Sequence, residues 1–139
     1  LNPGDHLLLG TDMRKREDIL IPAYDDRAGV TAQFNLNLLA RINRELDGEF
    51  DLDRFAHRVV WNSKESRIEM HLESLCAQRV AIDALDMVLT FAKGECIHTE
   101  NSYKFTFAML EALWANSGFT HQQTWADARS WFTVHLLRA

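Results

Sequence analysis

The sequence predicts an α/β chain: one strand, a long insertion built from a helix and an antiparallel meander, then a helix and two closing strands. Three observations predict it. Residues 27 to 46 carry apolar side chains at helical spacing. From residue 57 the pattern turns strand-like, most clearly where Ile68, Met70 and Leu72 alternate with Glu69, His71 and Glu73. From residue 103 the helical period returns, and two further β-rich segments follow it.

Each element has a local reason. Leu7-Leu8-Leu9-Gly10 follows a Pro3-Gly4-Asp5 turn and ends in Thr11-Asp12. An apolar run without alternation reads as a buried, parallel strand. Residues 14 to 18 read as a charged connector. Asp25 or Asp26 caps the long helix, and Val30, Phe34, Leu38 and Ile42 recur at i+4 to line one face. Asp47-Gly48 stops it. Asp51 caps one turn over residues 52 to 56. Strands are expected at 58–61, 68–72, 80–82, 87–91 and 96–101, paired as successive hairpins. Ser102 is in place to cap the next helix, in which Phe105, Met109, Leu110 and Leu113 share a face, and Gly118 closes it. Residues 119–125 and 131–137 read as the last two strands.

Composition bounds the function. A chain of 139 residues supports one domain with a real core. The net charge of −5 argues against a nucleic-acid or anionic-membrane surface. No apolar run reaches the about 20 residues of a membrane helix, and no segment reads as a signal peptide. The chain opens on Leu1 rather than Met, which suggests processing or a fragment. Cys76 and Cys96 lie outside any metal spacing and are expected as reduced, partly buried thiols in a cytoplasmic protein.

Little in these residues supports self-contained catalysis. The six histidines form no HxH or HxxxH pair, and no CxxC, nucleophile elbow or phosphate-binding glycine loop occurs, so no metal site and no catalytic residue is assigned. Glu100 and Ser102 are two apart on a strand, so both can face one small ligand, and a carboxylate with a hydroxyl suits an imidazole. An exposed strand residue and a helix cap account for the same pair. Tyr24 is either a packed tyrosine beside the Asp25-Asp26 cap or a phenol aimed at a ligand. Met70 reads as a core methionine and Glu69 and Glu73 as solvated. Asn35 and Asn37 are unusual inside a helix, and packing against a polar neighbour competes with exposure.

Taken in order, the stretches Gly4-Asp5-His6-Leu7-Leu8-Leu9-Gly10-Thr11-Asp12, Ala23-Tyr24-Asp25-Asp26-Arg27-Ala28-Gly29-Val30-Thr31, Phe34-Asn35-Leu36-Asn37, Ile68-Glu69-Met70-His71-Leu72 and Thr99-Glu100-Asn101-Ser102-Tyr103-Lys104 resemble the histidine-specific, S-adenosylmethionine-dependent methyltransferase family. Its best-known members are the L-histidine Nα-methyltransferases of ergothioneine biosynthesis. The resemblance covers essentially the whole chain, but only the C-terminal portion of such an enzyme.

The resemblance implies a Rossmann-like methyltransferase domain interrupted by an α+β substrate-binding domain. Residues 1–14 would hold its fifth core strand, 15–102 the substrate domain, and 103–139 the C-terminal helix and two strands, the last antiparallel. Tyr24 resembles the tyrosine that bonds the substrate carboxylate, Met70 the methionine beside the imidazole, and Glu100 and Ser102 the pair that bonds the imidazole nitrogens. The glycine-rich turn that holds S-adenosylmethionine lies outside these residues, so the implied role is substrate recognition for L-histidine or a related amine. The rival expectation is a non-catalytic binding or interaction module, with self-association through the exposed edge of the fifth strand.

Overall fold

Antiparallel pairing, with one face covered, organises the two ends of the chain. The computed structural model describes residues 1–139. Strand β1 (His6–Asp12) pairs antiparallel with β8 (Phe132–Arg138), which pairs antiparallel with β7 (Thr120–Ala126), giving the order β1-β8-β7. The closing strands thus begin one residue later than the sequence pattern suggests. The leucine run is not a doubly buried parallel strand. Its register against β8 makes it alternate: Leu7 and Leu9 pack on the core formed by Met13, Leu110, Trp114 and Leu137, while Leu8 is 64% exposed. The Phe132 ring lies over Gly10, where a Cβ would stand 2.8 Å from it and the ring would have to shift.

Helix α3 (Phe107–Ser117) supplies Leu110 and Trp114 to that core, while Leu113 is exposed. Its cap is Thr106, whose hydroxyl accepts from the Met109 amide, not Ser102. The helix cannot begin at residue 103, because the Phe105 backbone is engaged in an extended bridge: its amide donates to Asp12 and its carbonyl accepts from Arg14. Lys104, fully buried, places its ammonium 2.9 Å from Asp12.

The chain divides into two compact units. The one just described contains Leu1–Arg16, Ser63–Arg67 and Tyr103–Ala139; the other contains Glu17–Asn62 and Ile68–Ser102.

The second unit opens with a helix that the sequence pattern hid. Part of the expected charged connector lies in α1 (Glu17–Tyr24), an eight-residue helix with Pro22 inside it and Leu20 buried. A short helix whose apolar residues are contiguous shows no period. Helix α2 (Val30–Leu46) begins three residues later than expected, with Gly29 at the cap position at φ 70°, and the Asp26 carboxylate accepts from the Val30 and Thr31 amides at 3.1 and 2.8 Å. Bonds from the Thr31 amide and hydroxyl, then from Val30, hold that carboxyl down at about 2.

Of the four residues expected to line the buried face of α2, only Ile42 packs on the core. Val30, Phe34 and Leu38 are 64%, 65% and 41% exposed. Asn35 and Leu39 are buried instead, with Leu36, Ile42 and Leu46 packed against the core. That core joins Leu39 to Phe50, Phe55, Leu72, Val80, Ile82 and Phe91, and the Phe55 and Phe91 rings meet edge-on at 5.4 Å.

The strands of this unit do not form a simple meander. Strands β2 (Phe55–Asn62), β3 (Arg67–Ser74) and β6 (Cys96–Tyr103) form one sheet with β3 central. Strands β4 (Gln78–Ile82) and β5 (Met87–Phe91) form a separate antiparallel hairpin. The long return of β6 to β3 is a non-local choice that no local pattern encodes. On β3 the expected alternation holds, with Ile68, Met70, Leu72 and Ser74 buried.

Candidate functional site

Tyr24 is the last residue of α1, and Ser102 lies near the end of β6. Their hydroxyl oxygens stand 2.7 Å apart, a hydrogen bond between residues 78 apart in the chain. Because β6 continues through Tyr103, Ser102 is a strand residue with its side chain available to Tyr24, not a helix cap. This contact sets a phenol and a hydroxyl together, two groups that each donate and accept.

Met70 is buried on β3, and its carbonyl accepts from the Thr99 hydroxyl of β6 at 2.9 Å. Glu100 stands exposed on β6, two residues before Ser102. It opens onto a cavity of about 210 Å³ walled by Phe34, Asn35, Leu38, Arg41 and Thr99, and it is the one sequence-predicted site residue in that wall. The structure therefore brings Tyr24 and Ser102 into direct contact and sets Met70 and Glu100 on the neighbouring strands of the same sheet.

Two polar residues behind Tyr24 were not assigned a role by the sequence. His57 Nε2 is 2.8 Å from the Tyr24 carbonyl oxygen, and His57 Nδ1 is 3.0 Å from Asn35 Nδ2. Asn35 also donates to the His71 carbonyl at 3.1 Å and is 4% exposed. Its place among the apolar residues of an amphipathic helix was the available signal. The polar-neighbour explanation holds for Asn35, whereas Asn37 is exposed. For His57 no local signal exists.

Strand pairing also assembles a set that spacing could not show. Glu69, His71 and His98 place one ligand-type atom each within 4.8 Å of the others. Glu69 is therefore not solvated: its side chain is 12% exposed, accepts from Asn62 at 2.9 Å and lies 3.2 Å from His71 Nε2. The His71 and His98 rings stack at 4.5 Å with an interplanar angle of 24°. Glu69 and His71 thus form a hydrogen-bonded pair, with the His98 ring stacked on His71. Cys76 and Cys96 are free thiols of intermediate exposure.

The other unit holds a chain of hydroxyls and imidazoles that is buried at Thr11, Thr133 and His135 and reaches the surface at His121. Thr11, Thr133 and Thr124 surround His135, with Thr133 Oγ1 2.7 Å from Nε2 and Thr124 Oγ1 2.8 Å from Nδ1. Thr124 continues to His121 at 2.7 Å. Burial, and secondarily the charge of His121, push His135 below the usual imidazole value of 6.5.

Comparison with known proteins adds the following. A family model described as histidine-specific methyltransferase, SAM-dependent, matches residues 1–139. The histidine N-alpha-methyltransferase of Mycolicibacterium smegmatis is 49% identical over 136 residues, which cover 98% of this chain and 42% of that protein. The histidine N-alpha-methyltransferase of Mycobacterium tuberculosis is 48% identical over 136 residues, with the same 98% and 42% coverage. The L-tryptophan methyltransferase of Psilocybe serbica is 25% identical over 138 residues, which cover 98% of this chain and 38% of that protein. The chain spans less than half the length of these relatives.

Proposed function

The chain belongs to the histidine-specific, S-adenosylmethionine-dependent methyltransferase family, and from that premise we propose that it forms the substrate-recognition and C-terminal part of an enzyme that methylates the α-amine of L-histidine. The observation that carries this reading is the Tyr24–Ser102 contact at 2.7 Å. Two residues that match the family pattern for opposite ends of the substrate meet across 78 positions of sequence. In this reading Tyr24 holds the carboxylate, Ser102 and Glu100 hold the imidazole, and Met70 shapes the pocket beside the ring. A histidine that bonds both hydroxyls exchanges their mutual bond for two bonds to ligand, so neither group is left unpaired in either state.

The same reading assigns residues 1–14 and 103–139 to the end of a Rossmann-like core, and 15–102 to a substrate domain inserted in it. The order β1-β8-β7, with β8 antiparallel to both neighbours, supports it. So does the division into compact units at Arg16/Glu17 and Ser102/Tyr103. In this arrangement β1 is an edge strand. A fourth core strand pairs there in the intact enzyme, and the bare edge promotes self-association, which size-exclusion chromatography of the two forms compares.

S-adenosylmethionine supplies an electrophilic methyl group to the family's reaction. The glycine-rich turn that admits such a cofactor follows the first strand of such a core, and this reading places only the fifth and later strands in these residues, so the donor's site is assigned to the rest of the enzyme. What these residues contribute is orientation, holding the substrate's two ends so that its α-amine is presented in one direction. No helix of this chain is long and apolar enough to cross a membrane, and we place the enzyme in the cytoplasm.

The test is an assay of the intact protein with S-adenosylmethionine and histidine or tryptophan, with products identified by mass spectrometry. Methylated histidine as the main product, lost or slowed in Tyr24→Phe and Ser102→Ala, is expected. A preference for tryptophan, or histidine turnover indifferent to both substitutions, would overturn the assignment.

A further inference from the structure

Tyr24 can orient a substrate only if its own backbone is held, and Tyr24 is where α1 ends. Tyr24 ends a helix of eight residues that contains Pro22, so its carbonyl is among those a helix C-terminus leaves without an intrahelical partner. That carbonyl accepts instead from His57 Nε2 of β2, at 2.8 Å.

The bond has one direction. A carbonyl oxygen has no proton to give, so Nε2 must carry the hydrogen. In a neutral imidazole with Nε2–H, Nδ1 is an acceptor. Facing Nδ1 at 3.0 Å is Asn35 Nδ2, a donor. The amide cannot be turned round, because its same nitrogen donates to the His71 carbonyl at 3.1 Å, and the opposite orientation would set two oxygens against each other. Asn35 is 4% exposed, so neither of those bonds is easily replaced by water. The chain of constraint runs in one sense: the His71 carbonyl orients Asn35, Asn35 selects the tautomer of His57, and His57 holds the carbonyl of Tyr24. At the other end of the same tyrosine the phenol meets Ser102 at 2.7 Å.

We propose that His57, with its tautomer set by Asn35, is a positioning residue that fixes Tyr24 for substrate binding. The proposal rests on the reading of Tyr24 as a substrate-binding residue. In that role His57 acts through the Tyr24 carbonyl and not by contact with substrate or methyl donor. A positioning role also accounts for a buried asparagine and a histidine beside a core cluster of leucine, phenylalanine, valine and isoleucine.

The test uses the intact enzyme. His57→Phe fills the same space without a donor and removes the bond to the Tyr24 carbonyl, so the histidine KM should rise about five- to ten-fold, the order of one lost hydrogen bond, with the S-adenosylmethionine KM unchanged. His57→Gln carries an amide nitrogen the same number of bonds from the backbone as Nε2, and should bring the histidine KM back to within about three-fold of wild type. In the unsubstituted enzyme, long-range proton–nitrogen NMR of the imidazole should show Nε2 protonated and Nδ1 bare. A protonated Nδ1 would overturn the proposal, and this readout serves even where His57→Phe fails to fold. Tyr24→Phe, measured alongside, separates the two levels. If it raises the histidine KM and His57→Phe does not, the positioning role fails and the substrate reading stands. If Tyr24→Phe leaves histidine KM unchanged, the substrate reading fails. The positioning role is then judged by whether the Tyr24 ring resonances move in His57→Phe and return in His57→Gln; resonances that do not move would refute it.

Discussion

Glu100 offers the sharpest separation of binding from folding. It is exposed on β6 and opens onto a cavity of about 210 Å³. An exposed side chain outside the core contributes within about 0.5 kcal/mol to stability when replaced, so Glu100→Gln should leave the melting temperature of the intact enzyme nearly unchanged. Binding should respond differently. A hydrogen bond to a charged group is worth about 1.5–3 kcal/mol, or about 10- to 150-fold in affinity. Because the carboxylate faces a solvent-open cavity and not a closed core, the lower part of that range applies, about 10- to 30-fold. Glutamine keeps the shape and the acceptor but not the charge, so Glu100→Ala should cost at least as much. The assay is steady-state kinetics with each substrate varied in turn: histidine KM rises by that factor in Glu100→Gln while the S-adenosylmethionine KM stays put. Unchanged histidine KM, or equal losses for both substrates, would refute the assignment of Glu100 to the imidazole.

Two further outcomes follow from burial. Leu39→Ala removes a fully buried side chain and should lower unfolding stability by about 2–5 kcal/mol in urea titrations, whereas Phe34→Ala, at a position 65% exposed, should cost far less; comparable losses would mean that the other face of α2 is the buried one. His135 has its pKa lowered in the fold, so the unfolded chain binds its proton first, and stability is complete above the ordinary value of 6.5 and declines as pH falls below it. Melting temperatures across that range should fall less steeply in His135→Gln than in the wild type, and parallel profiles would remove His135 as the cause.

What could be read from the sequence was whatever depends on near neighbours. The alternation along β3 is visible because adjacent side chains on a strand must face opposite sides. The cap of α2 is visible because Asp26 reaches amides four and five residues ahead. Apart from α1, the order of elements was legible for the same reason, and the ends of β7 and β8 within a residue or two. The residue types at Tyr24, Met70, Glu100 and Ser102 were legible through resemblance, as an ordered set whose meaning lies in the family.

Tertiary structure alone decided which surfaces and strands meet. Helix α2 carries apolar residues over a wide arc, and periodicity favoured Val30, Phe34 and Leu38 because they repeat without a polar interruption. The fold buries the Asn35–Leu39 side, since partners on β2 and β3 satisfy the asparagine. A polar residue scores as exposed until its partner is known, and here the partners lie 22 and 36 residues away. Likewise β6 passes over β5 to join β3, and Ser102 is a strand residue because the Phe105 backbone is held by Asp12 and Arg14. Local sequence sets the propensity and the face alternation of each element. Hydrogen-bond partners far apart in the chain select among the pairings those propensities allow, and that selection is what brings Tyr24 to Ser102 and His57 behind it.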